Sequence, residues 1–172
     1  MRCRIFAVVL VAASAIGCAA GERPPTPPLP HVDAKYMEDA QVEVGRVLDA
    51  WHAAAARADE EAYFGAFGFG AVFLGTDATE RWDVNAFRTY AHPHFAKGKA
   101  WSFKATRRAV TVDNRGEVAW FDEDLATPNL GPARGSGVMH RLGSGAWMIV
   151  QYNLAITVPN ERFKAVKDLL AQ

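Results

Sequence analysis

The chain is poor in cysteine: only Cys3 and Cys18 occur in 172 residues. No disulfide framework can be built, so the fold must be held by its core. An excess of charge of either sign is missing too, because 19 Lys and Arg balance 19 Asp and Glu. No stripe of basic residues stands out, which removes the electrostatic footprint of a nucleic-acid partner. Nothing has the spacing of a phosphate-binding loop or a dinucleotide fingerprint, so no cofactor is expected. Ser136, in Arg134-Gly135-Ser136-Gly137-Val138, fails the Gly-x-Ser-x-Gly elbow and leads into a strand instead of a helix, which excludes a serine hydrolase of that type.

What is present begins with an N-terminal leader. Arg2 and Arg4 precede an uncharged apolar run from Ile5 to Ile16, too short to span a bilayer as a mature helix. The run ends in Ala15-Ile16-Gly17-Cys18, which resembles the lipobox of bacterial lipoproteins. The resemblance implies a signal peptide over 1–17, lipidation of Cys18, and a protein anchored to a membrane of the bacterial cell envelope. The alternative is ordinary signal cleavage after Ala20, which would leave a secreted or periplasmic protein. Glu22 to His31 carries five prolines in ten residues. That composition favours extended polyproline geometry and reads as a semi-rigid tether over 18–33.

Hydrophobic residues at 50% and charged residues at 22% suit one globular domain over 34–172. Met37, Ala40, Val44, Val47, Leu48, Trp51 and Ala55 recur at helical spacing behind Asp33, a natural N-cap. A short second helix carries Tyr63, Phe64 and Phe67, and Gly68 and Gly70 break it. Ala71 to Leu74 reads as a strand. A third helix runs from about Thr79 or Asp83 to Tyr90, with Pro93 expected to end it. Trp101 to Val112, Glu117 to Thr127, Arg134 to Leu142 and Ala146 to Val158 are β-rich runs separated by turn residues. Glu161 to Leu170 can form a short closing helix. Helices first and strands afterwards predict an α+β fold, with helices packed on one face of a curved antiparallel sheet.

Several of these segments carry a resemblance. Phe73-Leu74-Gly75-Thr76-Asp77, Glu80-Arg81-Trp82, Pro93-His94-Phe95, Ala119-Trp120-Phe121-Asp122-Glu123 and Gln151-Tyr152-Asn153-Leu154 together resemble the SnoaL-like branch of the nuclear transport factor 2-like superfamily, over about residues 38–162. The resemblance implies a cone-shaped fold whose helices close one end around a pocket, usually in a homodimer packed through the sheet. It implies no single activity, since such folds serve isomerases, cyclases, dehydratases and non-catalytic binding or assembly domains alike.

Strand alternation suggests which side chains face that pocket. Met148, Val150, Tyr152, Leu154 and Ile156 form the apolar side of the last strand, and Trp147, Ile149, Gln151 and Asn153 the mixed one. If Val112 pairs with Glu117 across the Asp113–Gly116 turn, Arg108 lies opposite Phe121 and Thr106 opposite Glu123. Glu123 and Arg108 are then the charged members of an inward face. Asp122 and Asp124 point outward with Trp120 and Arg107. A one-residue bulge would reverse this assignment. Glu123 is therefore the candidate general acid or base, and Arg108, Trp82, Tyr90, His94 and Tyr152 are candidate ligand-binding residues. The alternative for Glu123 is an internal ion pair with Arg108. His92-Pro93-His94 lacks companion ligands and gives no metal site. Trp120 and Trp147 on an outer face suit a dimer interface.

Three functions are consistent with these residues. The first is an envelope-anchored module that binds an unidentified small molecule without reaction. The second is an enzyme of isomerase, cyclase or dehydratase type using Glu123. The third is a non-catalytic dimeric assembly domain.

Overall fold

The computed structural model describes residues 32–171; the leader, Cys18 and nearly all of the proline-rich stretch lie outside the described residues. Helix α1, Ala34–Ala56, starts where Asp33 accepts a hydrogen bond from the Tyr36 amide at 2.7 Å, which satisfies one of the helix's orphan donors. Its buried stripe is Ala40, Val44, Leu48, Trp51 and Ala55, with His52 joining it at the i+4 position from Leu48. Helix α2, Glu60–Gly65, is capped by Asp59 and buries Tyr63 and Phe64. Phe67 already belongs to strand β1, Phe67–Leu74, so β1 begins four residues earlier than its apolar core suggested.

Strand β2, Arg81–Asp83, pairs with β1 as a hairpin, and helix α3, Val84–Ala96, follows under an Asp83 cap. Pro93 does not end α3, contrary to expectation: the helix runs on to Ala96. Proline removes one donor, but the extra turn buries Phe95 against Phe64 and Trp101. Apolar burial there outweighs one missing hydrogen bond. Glu60 ties α2 to α3 by accepting from Arg88 Nε at 3.1 Å and pairing with His92 Nδ1 at 2.8 Å.

Strands β3 (Lys104–Val112), β4 (Val118–Ala126), β5 (Ala133–Arg141) and β6 (Trp147–Ile156) form an antiparallel meander. The whole sheet has the order β2-β1-β6-β5-β4-β3. It is curved and unclosed, with the N-terminal helices over its inner face. One pairing departs from the antiparallel expectation: β1 runs parallel to β6. No hairpin links these two strands, so the long crossover through β2, α3 and the meander leaves their direction free.

Two register differences matter for the site. The β3–β4 connection is longer than a four-residue loop because Asp113 Oδ1 caps the amides of both Glu117 and Val118. Val112 therefore pairs with Ala119, and Arg108 with Glu123 directly. A shift of two residues preserves which face each side chain occupies. In β6 a bulge at Val150 does change it: Val138 pairs with Gln151, whereas Met139 pairs with Ile149. Trp147 and Ile149 consequently point inward and are buried, while Met148 and Val150 are not. The outer-face position expected for Trp147 is thus corrected; Trp120 alone of that pair remains outside, about half exposed. The C-terminal segment forms a 3-10 turn, Asn160–Arg162, and then α4, Phe163–Leu170, the short helix expected there, none of whose residues is buried.

Candidate functional site

Two interiors meet at Tyr152. The first is a charged cluster centred on Glu123, which is completely buried. Its Oε1 is 2.7 Å from His52 Nε2 and accepts the Tyr152 hydroxyl proton at 3.0 Å. Its Oε2 accepts Arg108 Nε at 2.8 Å. Arg108 also donates from Nη1 to the Gly45 carbonyl at 3.0 Å and from Nη2 to Asp49 at 2.8 Å. The chain Asp49–Arg108–Glu123–His52 thus runs from an exposed carboxylate to a buried imidazole.

Backbone placement makes this cluster possible. Gly135 lies opposite Glu123 on β5, and a Cβ there would collide with the Tyr152 hydroxyl and come within 3.0 Å of Glu123 Cγ. The glycine therefore creates the space in which Tyr152 and Glu123 meet. Burial alone pushes the Glu123 carboxyl up, but the His52 hydrogen bond and the charge of Arg108 outweigh it and hold the group below its usual value. Burial, followed by the adjacent carboxylate, raises the Tyr152 phenol well above its usual value. An ionised carboxylate accepting from three donors is a satisfied structural group; it is not poised to take a proton from a ligand.

The second interior is a cavity of about 330 Å³, within the range of small-molecule sites. Its floor is Trp51 from α1, Tyr63 from α2, Phe73 from β1 and Tyr152 from β6. Trp82 and the α3 residues Phe87, Tyr90 and His94 form one wall. Trp101 and Phe103, in the connection between α3 and β3, form the other. Aromatic rings dominate it: Phe73 and Phe87 stack with centroids 4.0 Å apart, and Trp82 and Tyr90 with centroids 4.6 Å apart. Thr127 and Asn129 from the β4–β5 loop and Glu80 from the β1–β2 turn supply polar groups.

Two buried polar atoms of residues lining this cavity, Trp51 Nε1 and the Tyr63 hydroxyl oxygen, have no hydrogen-bond partner among the described residues. Burial raises the Tyr63 phenol well above its usual value, and the nearby Trp101 indole opposes this. An indole can offer only a donor, so the Tyr63 proton has no acceptor in either case. Unmatched buried polar groups are uncommon in folded proteins.

Of the residues singled out from sequence, the fold brings Trp82, Tyr90, His94 and Tyr152 to the cavity. Glu123 and Arg108 do not line it; they sit behind Tyr152, which alone bridges the two interiors. Sequence reasoning missed His52, Trp51, Tyr63 and Glu80. The signal for His52 was its place on the stripe of Val44 and Leu48. His92 is occupied by Glu60, and among the described residues no group of three or more His, Cys, Asp or Glu is placed to hold a metal ion.

Solved structures share the fold. A nuclear transport factor 2-like protein of unknown function from Pseudomonas putida superposes with a TM-score of 0.59 at 13% identity, covering 73% of this chain and 92% of that one. A candidate ketosteroid isomerase from Parabacteroides distasonis gives 0.57 at 16% identity, over 76% and 97%. A candidate dehydratase of the same superfamily from Streptomyces avermitilis gives 0.58 at 15% identity, over 71% and 99%. At these identities the likeness concerns fold alone. No curated relative matches the chain. Residues 44–159 match the model of the SnoaL-like domain, and the chain belongs to that family.

Proposed function

We propose that this protein binds a small, largely apolar molecule in the aromatic cavity and carries out no reaction on it. The supporting observation is the separation of the two interiors. The only fully buried carboxylate among the described residues, Glu123, is matched by three donors and is absent from the cavity lining. The open volume is walled chiefly by aromatic side chains, and its one lining carboxylate is Glu80 of the β1–β2 turn. To reach this cavity a reaction centred on Glu123, the alternative, would have to act through the Tyr152 hydroxyl, whose raised pKa makes it a poor base at neutral pH. The test is extraction of purified protein followed by mass spectrometry, with Ala100→Phe, which fills the cavity, as the comparison. A small molecule retained by the wild type and lost from the variant is the expected result. Identical extracts would sink the reading.

Anchoring in the bacterial envelope through Cys18 belongs to the same proposal. Detergent partitioning of the full chain against Cys18→Ser checks it, and equal partitioning removes the anchor. Dimerisation through the outer sheet rests on Trp120, flanked by Val138 of β5. Sedimentation at twice the monomer mass is expected, and a clean monomer at high concentration would rule it out.

A further inference from the structure

We infer that the molecule held in the cavity is an organic cation, an amine or quaternary ammonium compound, recognised by the aromatic walls together with Glu80. This inference rests on the proposed binding role and names the ligand's chemical class. Half of the residues lining the cavity are Trp, Tyr or Phe, one is a carboxylate, and none is Lys or Arg. Aromatic faces carry the negative side of the ring quadrupole and attract a cation within about 6 Å of the centroid. The same walls offer nothing to balance an anion, which would be desolvated on entry without a charged partner. His94 is the only lining side chain able to carry positive charge, and it is exposed, with its ring beside Tyr90 and Trp101.

Glu80 is held in position without being used up. The β1–β2 turn closes through Gly75 N to Glu80 O at 2.9 Å and Glu80 N to Asp77 O at 3.0 Å. Its side chain folds back over the turn, where Oε2 accepts the Asp77 amide at 3.2 Å. Any Cβ at Gly75 would collide with this carboxylate, so the glycine keeps the position open. Oε1 takes no hydrogen bond from the described residues. Trp82 follows two residues later and is stacked on Tyr90, so the Glu80 side chain and this indole–phenol pair line one cavity. That combination fits a soft monocation with an apolar body. It gives a neutral hydrocarbon no advantage over it.

The test uses an isosteric pair, phenyltrimethylammonium and uncharged tert-butylbenzene, titrated into the full-length protein by isothermal calorimetry and followed through tryptophan fluorescence. Trp51, Trp82 and Trp101 all line the cavity and report occupancy. The cation should bind at least about tenfold tighter than its isostere, the scale of a desolvated cation–π contact. Glu80→Gln should reduce that ratio by about threefold or more, with thermal melting recorded alongside as the check that the variant is folded. Equal binding of the two probes, or a ratio untouched by Glu80→Gln, overturns the inference while the cavity remains a binding site. Binding of neither probe overturns the inference and the proposed function together. Loss of both probes only in Ala100→Phe confirms that the cavity, not an outer surface, is being read.

Discussion

Both carboxylate oxygens of Glu123 have partners: His52 and Tyr152 share Oε1, and Arg108 takes Oε2. On the other side of Tyr152, Trp51 Nε1 and the Tyr63 hydroxyl are buried without one among the described residues. Both regions are built from the same helices and strands, and one side chain belongs to both. The difference separates two uses of buried polarity. A closed network fixes the packing of α1 against β3 and β4. Beside the cavity the aromatic rings pack although two of their buried polar atoms stay unmatched among the described residues, which is uncommon in folded proteins.

Glu123→Gln is the largest available disturbance of the closed side. A glutamine there keeps one oxygen for His52 and Tyr152 but turns an amide donor toward Arg108. The guanidinium then lacks its buried counter-charge, and breaking such a pair costs about 3 kcal/mol or more. A substantially lower urea midpoint is expected, read by circular dichroism. An unchanged midpoint would mean the network is not holding α1 to the sheet.

Acid should open the same side. The Glu123 carboxyl titrates below its usual value of 4.5 when folded, so the folded state binds fewer protons than the unfolded one. Its stabilisation is full above about pH 4.5 and is lost as pH falls through the lower folded value. The partly buried carboxylates Glu60 and Asp124 are lowered as well, chiefly by hydrogen bonds from His92 and Arg107, and act in the same direction. Melting temperature should therefore fall on acidification in the wild type and fall less in Glu123→Gln. Parallel curves would remove Glu123 from the acid response.

Much of the closed side was legible beforehand. Strand alternation placed Glu123 and Arg108 inward and Asp122, Asp124 and Arg107 outward, and that survived a loop two residues longer than expected because parity is unchanged by an even shift. The same rule failed in β6, where the bulge at Val150 turns Trp147 from the outer face into the core. Alternation contains no record of bulges, so a strand with apolar residues on both faces cannot reveal one. The cavity was less legible still. Trp82, Tyr90 and His94 could be gathered by helical spacing, whereas Trp51 and Tyr63 looked like ordinary core. What sets them apart is a missing hydrogen bond, and only three-dimensional placement shows that.

The smallest expected effect is the sharpest test of the contrast, and it concerns Tyr63. Its ring stacks on Trp51 at a centroid distance of 4.9 Å and is fully buried, so the ring is core whatever the hydroxyl does. The hydroxyl has lost its water and gained no acceptor, a cost that phenylalanine would not incur. Tyr63→Phe should therefore leave stability within about 1 kcal/mol of wild type or raise it, where removal of a matched hydroxyl costs about 1 kcal/mol. Tyr152→Phe supplies that comparison, since it deletes a donor to Glu123 Oε1 and leaves the stacked rings in place. Urea midpoints of the two variants, measured side by side, decide the matter: Tyr152→Phe below wild type and Tyr63→Phe at or above it. If both fall equally, the Tyr63 hydroxyl is as well matched as that of Tyr152, and the distinction between a closed and an open interior does not hold.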